Sequence, residues 1–489
     1  MFLRLIRFTA RRSPWAPSLL LLGLSLGAPV LVQAAGLPTL QALAEGRFDI
    51  SAEVRMLDDG RVLGELDPRR SLAPASLSKL YIAAAALGRY GPQHRFVTRM
   101  VSDGEQRGAT LHGDLVLDSG GDPAMTTERY WTLVEQLAAR GIERIDGRVR
   151  LAQWQFGPEP CGVADRCSAR DATMSSYDAR LSPLAVDYAA WCVQLLPTRP
   201  GASARVGGCF SSRPLVTVSG EVKTVAEGQP TRLSARRTTA NGRDTLTISG
   251  QVSIADGPQS VYRSASDPAQ QTLATLEMLF AQSGIRVARG FAIDATPPPA
   301  GAREFAAVES PPLQMALMDM LNYSNNFMAD VLTIGLSASQ PPSLASGAAA
   351  LERFVDTVPG HGPVSLASGS GLTPDSRTSA HGLVALLDAM YRRAELFPTF
   401  VSAMQTPANG AARFIRRGDP LFQRSVMVKT GTLNQPVPVR AIAGYFRTSS
   451  GRWGAFAVML NGRAATPYLV WPDVLEALSS DLTPLIERY

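Results

Sequence analysis

Strand-like segments near both ends constrain the fold of this chain more than any other feature. Residues 48–66 place apolar Ile50, Ala52, Val54 and Met56 at alternate positions, turn at Asp59-Gly60 and resume with Val62 and Leu66. That is the pattern of a β-hairpin. Toward the other end, Val439–Phe446 and Trp453–Leu460 are two further strand-like runs joined by Ser449-Ser450-Gly451. Strands from both ends of a chain commonly meet in one sheet, with the middle as an insertion. The expected class is therefore α/β (α+β), with a central antiparallel sheet flanked by helices in a discontinuous domain of residues 35–92 and 296–489. Residues 93–295 have a different texture, with short β-like runs such as Leu215–Val222 and Thr245–Ile254 between Gly, Pro and Ser. They predict a β-rich inserted region of two subdomains. Pro297-Pro298-Pro299-Ala300-Gly301 marks the expected return, and no internal repeat is found.

Residues 1–34 read as a targeting segment. Arg4, Arg7, Arg11 and Arg12 occur with no acid among them, Leu19 to Val32 is almost wholly apolar, and Val32-Gln33-Ala34-Ala35 follows. Basic start, apolar core and small residues are the plan of a secretory signal peptide, cleaved near Ala34 for delivery to the periplasm. The apolar core is shorter than the ~20 residues of a spanning helix. No basic amphipathic helix closes the chain, so no stable membrane anchor is expected after removal. The formal charge of +6 falls to about +2 without the leader arginines, and no long basic run remains to suggest nucleic acid.

Cys161, Cys167, Cys192 and Cys209 form an even, clustered set, which in an oxidising compartment predicts disulfides. Three pairings are open, the most local being Cys161–Cys167 with Cys192–Cys209. Zinc is the competing reading, weakened because no C-x-x-C spacing occurs and the nearest histidine is His112.

Lysine usage points to chemistry. Of 48 basic residues only Lys79, Lys223 and Lys429 are lysine. Arginine cannot act as a base near neutral pH, whereas a buried lysine can. In Ser76-Leu77-Ser78-Lys79, at the start of an Ala- and Leu-rich helical stretch to Leu87, residues i and i+3 share a face. A buried amine there could take the proton of Ser76 and make it a nucleophile. Lys429-Thr430-Gly431-Thr432 follows the strand-like Val426-Met427-Val428 and offers a cation and hydroxyls to an anionic substrate end. Its glycine lets that end approach the backbone. Lys223-Thr224-Val225 lacks the glycine and reads as surface. Ser324-Asn325-Asn326 suits either a site or a helix N-cap.

Ser-x-x-Lys, Ser-x-Asn and Lys-Thr-Gly in this order resemble the signature of β-lactamases and penicillin-binding proteins. The first two motifs lie more than twice as far apart as the last two. Glu352, the only glutamate between Asn326 and Arg377, does not look like the base loop of a class A β-lactamase. The long insertion resembles the D-alanyl-D-alanine carboxypeptidase/endopeptidase family of low-molecular-mass penicillin-binding proteins. Gly113-Asp114-Leu115, Gly121-Asp122-Pro123, Ser182-Pro183-Leu184-Ala185-Val186, Asp267-Pro268-Ala269 and Ser368-Gly369-Ser370-Gly371-Leu372 agree. Asn325 and Ser368 depart from it, each standing where that family usually has Asp.

The resemblance implies a β-lactamase/transpeptidase-like domain without metal or organic cofactor. It also implies a serine DD-peptidase acting on peptidoglycan stem peptides, at D-Ala-D-Ala termini and D-Ala-diaminopimelate cross-links, and acylated by β-lactam antibiotics. Ser76 would attack, with Lys79 as base, the Ser76 and Thr432 N–H groups as oxyanion donors and Ser324 as proton donor to the leaving nitrogen. Asn326 would hold the substrate amide. Lys429, Thr430 and Thr432 would bind the terminal carboxylate beside Gly431. Asp171 is the candidate for the diaminopimelate amino group, against a solvated loop carboxylate. A β-lactamase and a catalytically weak penicillin-binding sensor are the alternatives. A Ser-His-Asp hydrolase finds little support in four histidines and no Gly-x-Ser-x-Gly beyond the leader.

Overall fold

The structure is a computed structural model that describes residues 36–157, 175–210, 214–464 and 466–489. The expected signal peptide, Cys161, Cys167 and Asp171 lie outside the described residues. No helix among the described residues is long and apolar enough to cross a membrane.

Strands from the two ends form one five-stranded antiparallel sheet. In spatial order they are Val426–Leu433, Val439–Arg447, Trp453–Gly462, Phe48–Met56 and Val62–Leu66. Ala52, Val54 and Met56 are buried as their spacing predicts, yet Ser51 and Glu53 between them are buried too. The reason is that helices cover both faces. Leu40 of Pro38–Ala44 and Leu475, Leu478 and Leu482 of Trp471–Arg488 share a core with Val54, Ile442 and Phe456. On the other side, Ser78–Tyr90 and Ala380–Tyr391 share a core with Ala443, Tyr445 and Ala457. The polar residues of the covered strand find hydrogen-bond or ion-pair partners in place. Ser51 Oγ accepts the Ala380 N–H at 3.1 Å, and the Glu53 carboxylate meets His381 Nδ1 at 2.9 Å and Arg55 at 2.5 Å. Chain ends are tied directly: Asp481 accepts the N–H groups of Thr39 and Leu40 at 3.0 and 2.9 Å, satisfying a helix N-terminus.

The Ser78–Tyr90 helix is buried without a break from Ser78 to Leu87. A helix apolar all round belongs between layers. Ala83–Ala86 keep it thin enough to pass between the sheet and the Leu313–Asn322 and Asn326–Gly335 helices.

The middle of the chain builds further sheets. One, in the order Phe291–Asp294, Val149–Ala152, Leu115–Asp118, Val97–Ser102 and Arg303–Glu309, mixes parallel and antiparallel pairs. The Thr127–Ala139 and Pro268–Gln282 helices pack on it through Leu133, Leu137, Leu276 and Phe280, so the region holds more helix than its β-like texture suggested. Two three-stranded sheets share a second cluster around Val193, Leu195, Leu246 and Ile248. They contain the Thr217–Val225 and Arg243–Ser253 strands, which pair in parallel. Lys223 is exposed on the first, and Cys192 is disulfide-bonded to Cys209, which takes both out of the zinc reading. The Pro297–Pro299 run lies between two strands of the mixed sheet rather than at its border, because Arg303–Glu309 pairs with Val97–Ser102. We propose Ser310 as the return point in place of residue 296, and two subdomains centred on the two hydrophobic clusters.

Candidate active site

Ser76 sits in a tight 3-10 turn, Ala75–Leu77, that feeds the Ser78–Tyr90 helix. Its neighbour Ala75 is left-handed at φ +48°, and Ser324 is left-handed at φ +53°. A non-glycine residue held there is strained by ~1–3 kcal/mol, and such strain concentrates where geometry serves function. Ser324 stands between the Leu313–Asn322 and Asn326–Gly335 helices. Asn325 caps the second by accepting the Met328 N–H at 3.0 Å. The N-cap reading of Ser324-Asn325-Asn326 thus falls on Asn325, and Ser324 and Asn326 make other contacts.

Lys79 is fully buried, and its Nζ has three acceptors: Ser76 Oγ at 3.0 Å, Asn326 Oδ1 at 2.6 Å and the Ser370 carbonyl at 2.8 Å. Asn326 Nδ2 donates to the Tyr177 carbonyl at 3.0 Å, so both ends of this amide are engaged within the protein. Across the site, buried Lys429 donates to Ser324 Oγ at 3.0 Å and to the Thr430 carbonyl at 2.7 Å. Burial pushes the Lys429 amine down to about 7. The three motifs, far apart in sequence, thus converge as two serine–lysine pairs, with Asn326 held against the first.

The Val426–Leu433 strand lies at the edge of its sheet. Val428 exchanges both backbone bonds with Gln405 on the outer side, at 2.7 and 3.0 Å. In an antiparallel ladder a residue's N–H and C=O point to the same side, and the side alternates along the strand. Thr430 and Thr432, two and four residues on, therefore turn their backbone groups outward, while the side chain of Lys429 occupies the opposite face from theirs. The Thr432 hydroxyl accepts the Trp471 indole N–H at 3.1 Å, which fixes its oxygen and leaves its own O–H to donate. Gly431 serves a contact the sequence reading did not foresee. A Cβ there would lie 2.6 Å from the Pro74 carbonyl oxygen and 3.1 Å from Ser76 N. Glycine lets the strand abut the turn that carries Ser76.

Sequence reasoning missed the Ser370 and Tyr177 carbonyls and the indole of Trp471. Backbone acceptors leave no trace in residue type. The Gly-rich Ser368–Leu372 segment was the one available signal. Gly371 is left-handed at φ +67°, and any Cβ would overlap the Ala75 carbonyl.

A serine bonded to a buried lysine, faced by a second serine–lysine pair on an edge strand, defines a serine acyl-transfer hydrolase of the penicillin-binding kind. No histidine takes part in these hydrogen bonds. Residues 41–473 match the sequence pattern of the D-Ala-D-Ala carboxypeptidase 3 (S13) family, and the chain belongs to that family. It is a serine-type D-Ala-D-Ala peptidase. The D-alanyl-D-alanine carboxypeptidase of Actinomadura sp. (strain R39) is 25% identical over 434 residues, 85% of this chain and 78% of the relative. Penicillin-binding protein 4 from Haemophilus influenzae shares the fold, with a TM-score of 0.74 at 18% identity over 92% of this chain and 99% of the other. Its crystal structure complexed with a β-lactam gives 0.70. A predatory peptidoglycan endopeptidase from Bdellovibrio bacteriovorus gives 0.51 at 14% identity over 90% of this chain and 92% of its own.

Proposed function

We propose that this enzyme cleaves peptidoglycan stem peptides outside the cytoplasm, in the periplasm, with Ser76 as nucleophile and Lys79 as its base. The acceptor set around Lys79 carries the reading. An ammonium has three N–H donors, which the three acceptors take up. A neutral amine has two donors and a lone pair. A backbone carbonyl and an amide oxygen can only accept, so they hold the two N–H bonds and leave the lone pair for Ser76 Oγ–H, which can donate. Deprotonated Lys79 is thereby aimed at the hydroxyl it must activate.

Substrate would lie along the edge strand as an added strand. Its scissile carbonyl would meet the N–H groups of Ser76 and Thr432, and an oxyanion donor of this kind contributes ~3–4 kcal/mol. The outward orientation of Thr432's backbone supports that role. Ser76 Oγ bonds to the carbonyl carbon and its proton passes to Lys79; as the C–N bond breaks, Ser324 gives the departing nitrogen a proton and regains one from protonated Lys79, so that the proton of Ser76 ends on the leaving amine. Water then hydrolyses the ester. Lys429, with the Thr430 and Thr432 hydroxyls and the space at Gly431, would hold the terminal carboxylate. Asn326 would orient Lys79 and, on release from Tyr177, the substrate amide. A β-lactam carries an equivalent carboxylate and carbonyl and would acylate Ser76. The β-lactam complex of the Haemophilus relative supports this partner. Asp171 for the diaminopimelate amino group remains part of the proposal. Glu352, the glutamate a β-lactamase reading would need, accepts the Leu366 N–H at 2.7 Å instead.

The pH dependence follows from Lys429. Its lowered value means that the charged form, present below about pH 7, gives way to a neutral amine above it. Carboxylate binding should weaken as pH rises through 7, while bound substrate holds the proton on. We expect kcat/KM to fall above about pH 7 with kcat falling only at higher pH. Lys429→Arg should lose that limb while lowering activity overall, and an unchanged limb in this variant would remove Lys429 from carboxylate recognition.

The choice between terminal trimming and cross-link cleavage is tested on cross-linked, pentapeptide-rich sacculi, wild type beside Ser76→Ala, with products resolved by mass. Both loss of pentapeptide and a fall of dimers with rising monomers are expected. Pentapeptide loss alone would restrict the enzyme to carboxypeptidase action, and no Ser76-dependent change would return the β-lactamase and sensor alternatives.

A further inference from the structure

One face of the Asn326–Gly335 helix carries Asn326, Asp330 and Thr333, at spacings of four and three residues that bring them into line. All three are buried, Asp330 and Thr333 completely. A carboxylate is a poor helix-interior residue and is rarely found fully out of water without a task. Each member of this line touches the apparatus around Lys79. Asn326 Oδ1 takes one Lys79 N–H. Asp330 Oδ1 accepts the Ser370 N–H at 3.1 Å. Thr333 Oγ1 accepts the Gly369 N–H at 3.1 Å and donates to the Ala329 carbonyl at 2.7 Å.

Ser370 is the link. Its carbonyl is one of the two acceptors that aim the Lys79 lone pair, and its N–H is held by Asp330. The loop is confined on its other side by Gly371, whose α-carbon lies against the Ala75 carbonyl. Ser370 Oγ is 2.9 Å from Ser368 Oγ, so its own side chain is committed within the loop. A buried N–H left without an acceptor is costly, and the backbone would rotate to find one. That rotation would carry the Ser370 carbonyl off Lys79.

We propose that Asp330 is a positioning residue for acylation: by fixing the Ser370 backbone it keeps the Ser370 carbonyl on Lys79 and so directs the amine at Ser76. The inference rests on the reading of Lys79 as the base. It predicts an effect on the bond-forming step rather than on binding.

The test uses the full enzyme and a fluorescent penicillin, separating the dissociation constant of the encounter complex from the acylation rate constant. Asp330→Asn keeps an oxygen acceptor for the Ser370 N–H and should acylate within about threefold of wild type. Asp330→Leu removes the acceptor and should lower the acylation rate constant about 10- to 100-fold, with the dissociation constant changed less than twofold. If Asp330→Leu does not fold, Asp330→Ala, assayed below its melting temperature, is read the same way. Lys79→Met in parallel separates the two ideas. A Lys79→Met enzyme as fast as wild type overturns the base assignment itself. A slow Lys79→Met with Asp330→Leu at the wild-type rate overturns only the role of Asp330. Asp330→Asn as slow as Asp330→Leu also overturns it, since loss of the acceptor would then not be the cause.

Discussion

Replacing Ser76 by alanine is expected to abolish D-Ala-D-Ala hydrolysis and covalent β-lactam labelling together, with the fold retained. The residue loses one oxygen from a half-buried turn, and that oxygen's described side-chain partner is Lys79 Nζ at 3.0 Å. Lys79 keeps its bonds to Asn326 and Ser370, so little stability depends on the hydroxyl. Turnover depends on it entirely, because without Oγ no acyl-enzyme can form. Nucleophile removal in serine hydrolases costs about 10⁶-fold in kcat. Mass spectrometry of penicillin-treated protein, beside a thermal melt, is the check. An adduct on Ser76→Ala equal to that on wild type would pass the nucleophile's role to another residue, with Ser324 next in line because its Oγ also meets a buried amine.

Lys79→Met is expected to have the second-largest effect, through the same bond from the other side. Methionine fills a similar volume but can neither accept nor donate a proton. General-base catalysis contributes ~10²–10⁴-fold, and the aim imposed by Asn326 and Ser370 is lost with the amine. Acylation by a β-lactam should therefore slow by about 10³-fold while Ser76 remains in place. Stability is pulled two ways. Asn326 Oδ1 and the Ser370 carbonyl lose a buried donor, at ~1–3 kcal/mol each, whereas an amine that must be desolvated is removed. Stopped-flow acylation with circular dichroism on the same sample checks both. Acylation near the wild-type rate would point to Lys429, held at about 7 by burial, as the base instead.

The two lysines divide what a single motif-based description would merge. Two of the acceptors around Lys79, Asn326 Oδ1 and the Ser370 carbonyl, cannot donate, which suits the proposed base that takes and returns the proton of Ser76. Lys429 reaches the cleft from the opposite face of an edge strand and is shifted by burial alone, which suits a group that regains its charge when a carboxylate arrives. Arginine could fill neither proposed role, so the proposal would account for two of the three lysines in a chain that otherwise uses arginine.

Much of this was legible before any coordinates. Alternation at Ile50–Met56, Asp59-Gly60 and the paired runs at 439–446 and 453–460 determine strands, and their places near opposite ends imply a shared sheet. Apolar Leu77–Leu87 determines a buried helix, and i, i+3 spacing sets Lys79 over Ser76, because these depend on local periodicity and helical geometry. Local pattern could not reach the Ser370 carbonyl at Lys79, the Tyr177 carbonyl at Asn326 or the inward use of Gly431 against Pro74. Those depend on which backbone groups long-range packing brings together, and every residue type carries the same backbone groups. The turn of the Thr432 hydroxyl toward Trp471, and the membership of Arg303–Glu309 in the inserted sheet despite three prolines before it, were likewise decided by tertiary pairing. The sequence by itself determined the side chains proposed for the chemistry; only the packed structure decided which backbone atoms they meet.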